Sequence, residues 1–175
     1  MSTPTITKAQ LLESLRKGEK ETLDKLSTVP ADAFDRGCYE NGWNGRQVLA
    51  HITAIEWTYP KLIDVARGGA KPAEKAPEKP KDEKPPQRTA SGGINSYNDR
   101  SIARYEGVGA EALLEEFRKN RATTIEVIEA TDDDLFLQPV KSAGGITGPL
   151  GYVMNLVAVM HVAGHVDDIV KSASA

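Results

Sequence analysis

Apolar residues recur at helical intervals near the start of the chain. The series Leu11, Leu12, Leu15, Leu23 and Leu26 is interspersed with Lys and Glu and ends before Pro30. This spacing predicts an amphipathic helix of about six turns. Thr7 and Gln10 have the spacing of a capping box, so we expect the helix to begin near Thr7.

A second amphipathic run carries the same start signal. Asn44 and Gln47 again have capping-box spacing, and the apolar positions after them are Val48, Leu49, Ile52, Ile55, Tyr59, Leu62 and Ile63. Pro60 is expected to kink or divide this helix, because proline lacks the amide hydrogen that a helix interior uses. Gly68 and Gly69 predict its end.

Residues 70–93 have a different composition. They hold five of the ten prolines, six basic and four acidic residues, and no large apolar side chain. Such a segment cannot bury enough surface to offset its ordering entropy, so we expect an extended, mobile linker. A connection of this length can cross the end of a bundle, which allows the helices on either side of it to run parallel.

Three more helical segments follow the linker. Residues 94–105 predict a short helix, residues 110–130 a longer one, and the last helix is expected to start at Pro149. Almost nothing has the alternation of a strand. The chain is therefore predicted to be all-α: a single four-helix-bundle domain over residues 1–175, with a long crossover connection and the linker inside it.

The last helix is apolar nearly all round from Leu150 to Val166, so a membrane anchor has to be considered. The run is shorter than the roughly 20 residues that span a bilayer. It also contains His161 and His165 and ends in acidic residues, which are costly inside a membrane. These features favour the central helix of a bundle in water, and no membrane partner is expected.

Composition narrows the function classes. The net charge of −3 gives no electrostatic reason to expect a nucleic-acid partner. The single cysteine, Cys38, excludes an internal disulfide framework and a cysteine-rich zinc module. The N-terminus lacks the basic and apolar regions of a signal peptide, so the expected location is the cytoplasm.

The three histidines are the candidate site. His161 and His165 are four residues apart on the last helix, which places them about 40° apart in azimuth and about 6 Å apart along the axis. His51 lies at the edge of the apolar stripe of the second helix. All three are thus expected on interior faces, where they can supply three ligands of a zinc, nickel or iron centre with an open position.

Each histidine also has a simpler interpretation. A lone imidazole on an apolar face is more often a hydrogen-bonded core residue than a metal ligand. Burying two imidazoles on one apolar helix is costly unless their nitrogen atoms find partners, and a metal ion provides one. We therefore favour a site formed by all three.

Short motifs give the chain a family resemblance. The segment from Trp43 to His51 (WNGRQVLAH) is similar to a helix start in the DinB-like superfamily, and HVAGHVDDI on the last helix resembles its second histidine motif. The resemblance implies a four-helix bundle with a long crossover and a divalent metal on His51, His161 and His165. Asp167 stands where the sulfoxide-synthase relatives have glutamate, which speaks against a non-haem iron oxygenase.

The resemblance implies that a low-molecular-weight thiol is transferred to an electrophilic small molecule, or that an isomerisation proceeds through a thiol adduct. Hydrolysis by a metal-bound water is one alternative. A non-catalytic stress or resistance protein that is stabilised by metal and sequesters a small molecule is a second. A bundle whose histidines bind nothing is a third. A homodimer is also compatible with the family.

Three further residues are candidates. Asp168 is three residues after His165 and is a candidate for holding an imidazole N–H or acting as a base, although a capping or surface acid is the simpler interpretation. Arg46 and Arg100 are candidates for binding the carboxylates of a thiol cofactor. For both, a solvated surface arginine is the default.

Overall fold

The computed structural model describes residues 4–39, 42–68 and 95–175, with side chains from residue 98 onward in the last range. The main helices are α1 (Lys8–Ser27), α2 (Gly45–Glu56), α3 (Tyr59–Ala66), α4 (Asn95–Ala103) and α5 (Ala110–Glu129). The last helix continues from α6 (Leu150–Met154) through a π-helical segment (Asn155–Met160) into α7 (His161–Ala173). Short 3-10 helices cover Ala31–Asp35 and Asp133–Leu137.

The predicted helix starts are confirmed. Reciprocal capping boxes join Thr7 to Gln10 and Asn44 to Gln47, so the first turns of α1 and α2 have their amides satisfied by side chains. Pro60 divides the second run as expected: α2 ends at Glu56 and α3 begins at Tyr59. The predicted linker, residues 70–93, lies outside the described residues.

Four helices form a ring in which each contacts two neighbours. Helices α1 and α2 both pack against α5 and against α7. On α2 and α5, Thr53 Oγ1 donates to the Leu113 carbonyl at 3.3 Å, and Glu56 pairs with Arg121 further along both helices. Because successive contacts move in the same direction along both chains, α2 and α5 run parallel, which the predicted long crossover allows.

The core is divided along the bundle into two apolar clusters. One contains Leu11, Ile63, Ile128 and Val153, and the other contains Leu49, Phe117, Val162 and Val166. Between them lies a buried polar layer in which Glu56, Arg121 and Thr124 are each 1% exposed or less. The bundle therefore carries an ion pair at mid-height, where apolar packing is the usual solution.

The prediction of almost no strand missed one hairpin. Strands β1 (Pro139–Lys141) and β2 (Thr147–Pro149) pair antiparallel, with Val140 opposite Gly148. Each strand is three residues long, which is too short for an alternating pattern to be visible. The hairpin leads directly into α6 and so fixes where the last helix begins.

By length and composition alone, the run Leu150–Ala173 is a helix that could cross a membrane. In the described part of the chain, this helix packs against α1 and α2, and Val153, Val162 and Ile169 supply one side of both apolar clusters. Its partners are those of a core helix, as predicted.

Candidate metal centre

The structure brings the three histidines together. One ring nitrogen from each of His51, His161 and His165 lies within 4.8 Å of the other two. The Nε2 atoms of His161 and His165 are 2.8 Å apart. The His51 ring approaches from α2, with its centroid 5.1 Å from that of His165 and 5.6 Å from that of His161. Two helices therefore position one three-nitrogen donor set.

The solvent exposure of the three histidines increases from the core to the surface of the bundle. His51 is buried at 5% exposure, His165 is half-buried and His161 is exposed. The prediction that all three histidines lie on interior faces was wrong for His161, because its ring stands at the solvent edge of the bundle. One side of the donor set is thus open, as a site that admits an outside ligand requires.

The environment keeps the imidazoles neutral. Burial, with smaller contributions from the charges of His165 and His161, lowers the pKa of His51 to about 3. Burial and the charge of His161 lower the pKa of His165 to about 4, with Asp168 opposing. Burial also lowers the pKa of His161, opposed by the Val157 carbonyl. Neutral imidazoles are the form that binds metal.

Tyr39 links His165 to Asp168. Its hydroxyl oxygen lies 2.7 Å from His165 Nδ1, and the same hydroxyl donates its hydrogen to Asp168 Oδ2. A tyrosine hydroxyl has one hydrogen, and a carboxylate only accepts. The Tyr39 oxygen therefore accepts the Nδ1 hydrogen of His165, which leaves Nε2 of that ring with a free lone pair.

This arrangement changes the expectation for Asp168. The prediction that Asp168 holds an imidazole N–H directly is replaced by an indirect contact through Tyr39. Sequence reasoning missed Tyr39 because it lies on the connection before α2, 126 residues from His165 along the chain. No helical or strand pattern assigns that position to the site.

The two arginines lie at the start of α2 and on α4. Arg46, in the first turn of α2, pairs with Asp35 on the connection before that helix, with 2.7 Å between Arg46 Nη2 and Asp35 Oδ2. Arg100 lies on α4 and is exposed. Their predicted roles toward a thiol cofactor therefore gain no support.

His51 has a buried ring nitrogen whose hydrogen bonding is not satisfied by the described residues. Its Nδ1 is buried and has no hydrogen-bond partner among the described residues, and its ring packs on Trp43 with centroids 5.4 Å apart. A buried polar atom without a partner is costly, and native proteins rarely retain one without a reason. A buried neutral imidazole beside two others has the donor chemistry of a zinc or nickel ligand.

Solved structures share this fold. The mycothiol-dependent maleylpyruvate isomerase superposes with a TM-score of 0.69 and 20% identity over 97% of this chain. This chain corresponds to 63% of the isomerase chain. An uncharacterised protein from Escherichia coli UTI89 gives a TM-score of 0.68 at 18% identity, covering 99% of this chain and 96% of its own. No curated protein matches the chain by sequence.

A third solved structure bears on the prediction that the protein has no nucleic-acid partner. The colibactin self-resistance protein ClbS, solved in complex with double-stranded DNA, superposes with a TM-score of 0.61 at 13% identity, covering 96% of this chain and 97% of its own. The exclusion of nucleic acid from the net charge of −3 was therefore wrong. Net charge averages over a whole chain and does not determine the potential at one face.

A family profile settles the resemblance drawn from the motifs. Residues 15–169 match the profile described as the mycothiol maleylpyruvate isomerase N-terminal domain. The match spans all three histidines and Tyr39. This chain therefore belongs to that family, within the DinB-like superfamily.

Proposed function

We propose that this protein is a divalent-metal-dependent enzyme that transfers a low-molecular-weight thiol to an electrophilic small molecule. The observation that carries the proposal is the convergence of His51, His161 and His165 on one point with an open side at His161. Membership of the mycothiol isomerase family supports a thiol as the second reactant. The cytoplasm, where such thiols stay reduced, is the proposed location.

The donor set fits a metal ion on the evidence of its hydrogen bonds. Tyr39 accepts the Nδ1 hydrogen of His165, and the Val157 carbonyl favours a hydrogen on the ring of His161. His165 then presents a bare Nε2 lone pair to His161 Nε2, 2.8 Å away. With its hydrogen on Nδ1, His161 turns a second lone pair toward that atom, and two lone pairs at that distance repel unless a cation lies between them. Zinc or nickel suits imidazole, with iron as a further option.

The residues of the chain have separate roles in this proposal. His51, His161 and His165 would hold the ion, which when bound lowers the pKa of a thiol or water ligand and makes it a nucleophile at neutral pH. Tyr39 and Asp168 fix the tautomer of His165. The exposed edge at His161 admits the thiol and the electrophile, and Trp43 closes the buried side against His51.

The first test is metal content. Protein purified without a histidine tag is expected to contain about one divalent ion per chain by elemental analysis. His51→Asn should lose it. The matched control is Thr53→Val, which changes a buried polar residue two positions along α2 that hydrogen-bonds to the Leu49 carbonyl. Equal metal content in wild type and His51→Asn would contradict the site.

The second test is the reaction. Metal-loaded protein is mixed with a chromogenic aryl halide and, in turn, mycothiol, bacillithiol and glutathione. The expected reaction forms a carbon–sulfur bond, breaks the carbon–halogen bond and releases halide and a proton. A rate above the uncatalysed reaction with one thiol, lost in His51→Asn, supports the transferase. No acceleration with any of them contradicts it and leaves hydrolysis or binding.

A second candidate is a resistance protein that sequesters a reactive small molecule. The specific observation is length: this chain and the self-resistance protein cover each other almost completely, at 96% and 97%. This candidate predicts stoichiometric capture without turnover. Mass spectrometry of the products, with the small molecule in tenfold excess, distinguishes one equivalent consumed from many.

A further inference from the structure

We propose that Tyr59, together with the buried Arg121–Glu56 pair, acts as a positioning device that holds the π-helical segment and thereby places His161 against His165. The proposal rests on the metal site proposed above. It concerns a layer of residues on α2, α3 and α5, outside the donor set itself.

The starting observation is where the last helix departs from α-helical geometry. The π-helical segment Asn155–Met160 ends at the residue before His161. In such a segment each amide bonds the carbonyl five residues back, so the residues that follow are rotated relative to a continuous α-helix. The direction in which His161 projects therefore depends on this segment keeping its form.

Two consecutive carbonyls of the segment accept side-chain hydrogen bonds. Tyr59 Oη donates to the Val157 carbonyl at 2.7 Å, and Arg121 Nη2 donates to the Ala158 carbonyl at 2.8 Å. Tyr59 is 3% exposed and Arg121 is 1% exposed, so water does not compete for either carbonyl. The donors come from two other helices, which ties the segment to the rest of the bundle.

The arginine is itself held in place. Its Nε donates to Glu56 Oε2 at 2.9 Å and its Nη2 donates to Glu56 Oε1, a two-point contact between side chains that are 1% and 0% exposed. Thr124 Oγ1 also donates to Glu56. A planar guanidinium paired at two points has one orientation, so its remaining hydrogen bond to Ala158 is directed.

The segment contacts the histidine through Val157. The Val157 carbonyl, which accepts the Tyr59 hydroxyl, lies four residues before His161 and raises the pKa of the His161 imidazole against the effect of burial. Nε2 of that ring lies 2.8 Å from His165 Nε2, which leaves Nδ1 as the nitrogen available to Val157. Tyr59 thus holds a carbonyl of the segment that sets the direction in which His161 projects.

Stability alone does not explain this layer. Replacing a buried ion pair by well-packed apolar residues is often neutral or stabilising, and the layer lies between two apolar clusters that such residues would join. The polar groups are instead directed at two carbonyls less than two turns before His161.

The test uses Tyr59→Phe, which removes one hydroxyl and keeps the ring. The matched control is Tyr152→Phe, on α6, whose hydroxyl makes no hydrogen bond in the described structure. Binding of cobalt(II) is followed by its ligand-field absorption. We expect Tyr59→Phe to weaken cobalt binding about 10- to 100-fold and to shift the spectrum, as loss of an outer hydrogen bond does. Tyr152→Phe should match wild type in both.

A second readout separates this proposal from the metal site. In the metal-free proteins, amide hydrogen exchange should be faster over residues 155–163 in Tyr59→Phe, and unchanged in Tyr152→Phe. Cobalt bound equally by both variants and wild type, with equal exchange, would overturn the positioning role and leave the proposed function standing. A wild type that binds no cobalt overturns the proposed function. The hydrogen-exchange data then decide by themselves whether Tyr59 holds the π-helical segment.

Discussion

The hydroxyl of Tyr39 lies 2.7 Å from Nδ1 of His165. That single contact joins a loop before α2 to the last helix and determines which nitrogen of His165 is free. The hydroxyl hydrogen goes to Asp168, so the imidazole must supply the hydrogen of the shared bond. The tautomer that results presents Nε2 toward His161.

Removing the Tyr39 hydroxyl should weaken metal binding. In Tyr39→Phe, His165 Nδ1 loses its acceptor and the ring is free to adopt either tautomer. We expect zinc affinity to fall about tenfold, measured by competition with a chromophoric chelator. Nitrogen-15 shifts of the ring should move toward a mixture of tautomers in the metal-free protein. Unchanged affinity and shifts would contradict the role given to Tyr39.

Removing the Asp168 carboxylate should weaken metal binding by favouring the other tautomer of His165. In Asp168→Ala the Tyr39 hydroxyl loses the carboxylate that accepts its hydrogen and is expected to donate to His165 Nδ1 instead, which favours the wrong tautomer. Zinc affinity should therefore fall at least as far as in Tyr39→Phe. The double variant should be no weaker than Asp168→Ala, because the two residues act as one unit. Additive losses would show that they act independently.

Metal should stabilise the folded protein. At a concentration a hundredfold above Kd, binding to the native state contributes about 2.7 kcal/mol. For a domain of this size that corresponds to a rise in Tm of about 5–10 °C, measured by differential scanning calorimetry with zinc or nickel. His51→Asn should show no rise. The same Tm with and without metal in wild type would rule out a site of this affinity.

Stability of the metal-free protein should fall in mild acid. The folded pKa of His51 is about 3, below its usual 6.5, so the unfolded state binds more protons below pH 6.5. The contribution of His51 is complete above that pH and is lost as pH falls toward 3, at about 1.4 kcal/mol per pH unit. Urea titrations of wild type and His51→Gln from pH 7 to 5 should diverge below about pH 6.5 and approach that slope near pH 5. Parallel curves would contradict a neutral, buried His51.

The start of the last helix depends on a glycine. A Cβ at Gly151 would stand 2.1 Å from the Ile6 carbonyl oxygen, whereas one at Gly18 meets nothing closer than Val159 at 4.0 Å. Gly151→Ala should therefore destabilise the protein by about 1–3 kcal/mol in urea titrations. Gly18→Ala, in the middle of α1, should stabilise it by about 0.5–1 kcal/mol. Equal stabilities of the two variants would show that the chain relaxes around Gly151.

The helices follow from local rules, and these act within a few residues. A capping box needs only Thr7 with Gln10 or Asn44 with Gln47, and a proline such as Pro60 is tolerated in the first turn of a helix but not in its interior. The convergence of the histidines could also be predicted from the sequence, because position on an apolar stripe determines which face of a helix points inward.

Other features depend on long-range contacts that a single sequence does not reveal. Glu56 and Arg121 are charged residues on amphipathic helices, and such residues usually face solvent. Their burial follows only from their pairing across 65 residues of chain. The π-helical segment has only a weak signal in the sequence. The last helix has buried residues at intervals of four, at Leu150, Met154, Ala158, Val162 and Val166. A regular α-helix, with 3.6 residues per turn, does not keep that spacing on one face.

The gradient of exposure from His51 to His161 has a kinetic consequence. An ion entering from solvent would meet His161 first and His51 last, and a chelator would reach the same side without the bundle opening. Loading and removal of metal would then proceed in the folded protein, on the timescale of ligand exchange and not of unfolding. Which ion occupies such a site in a cell follows from the supply of exchangeable metal after folding.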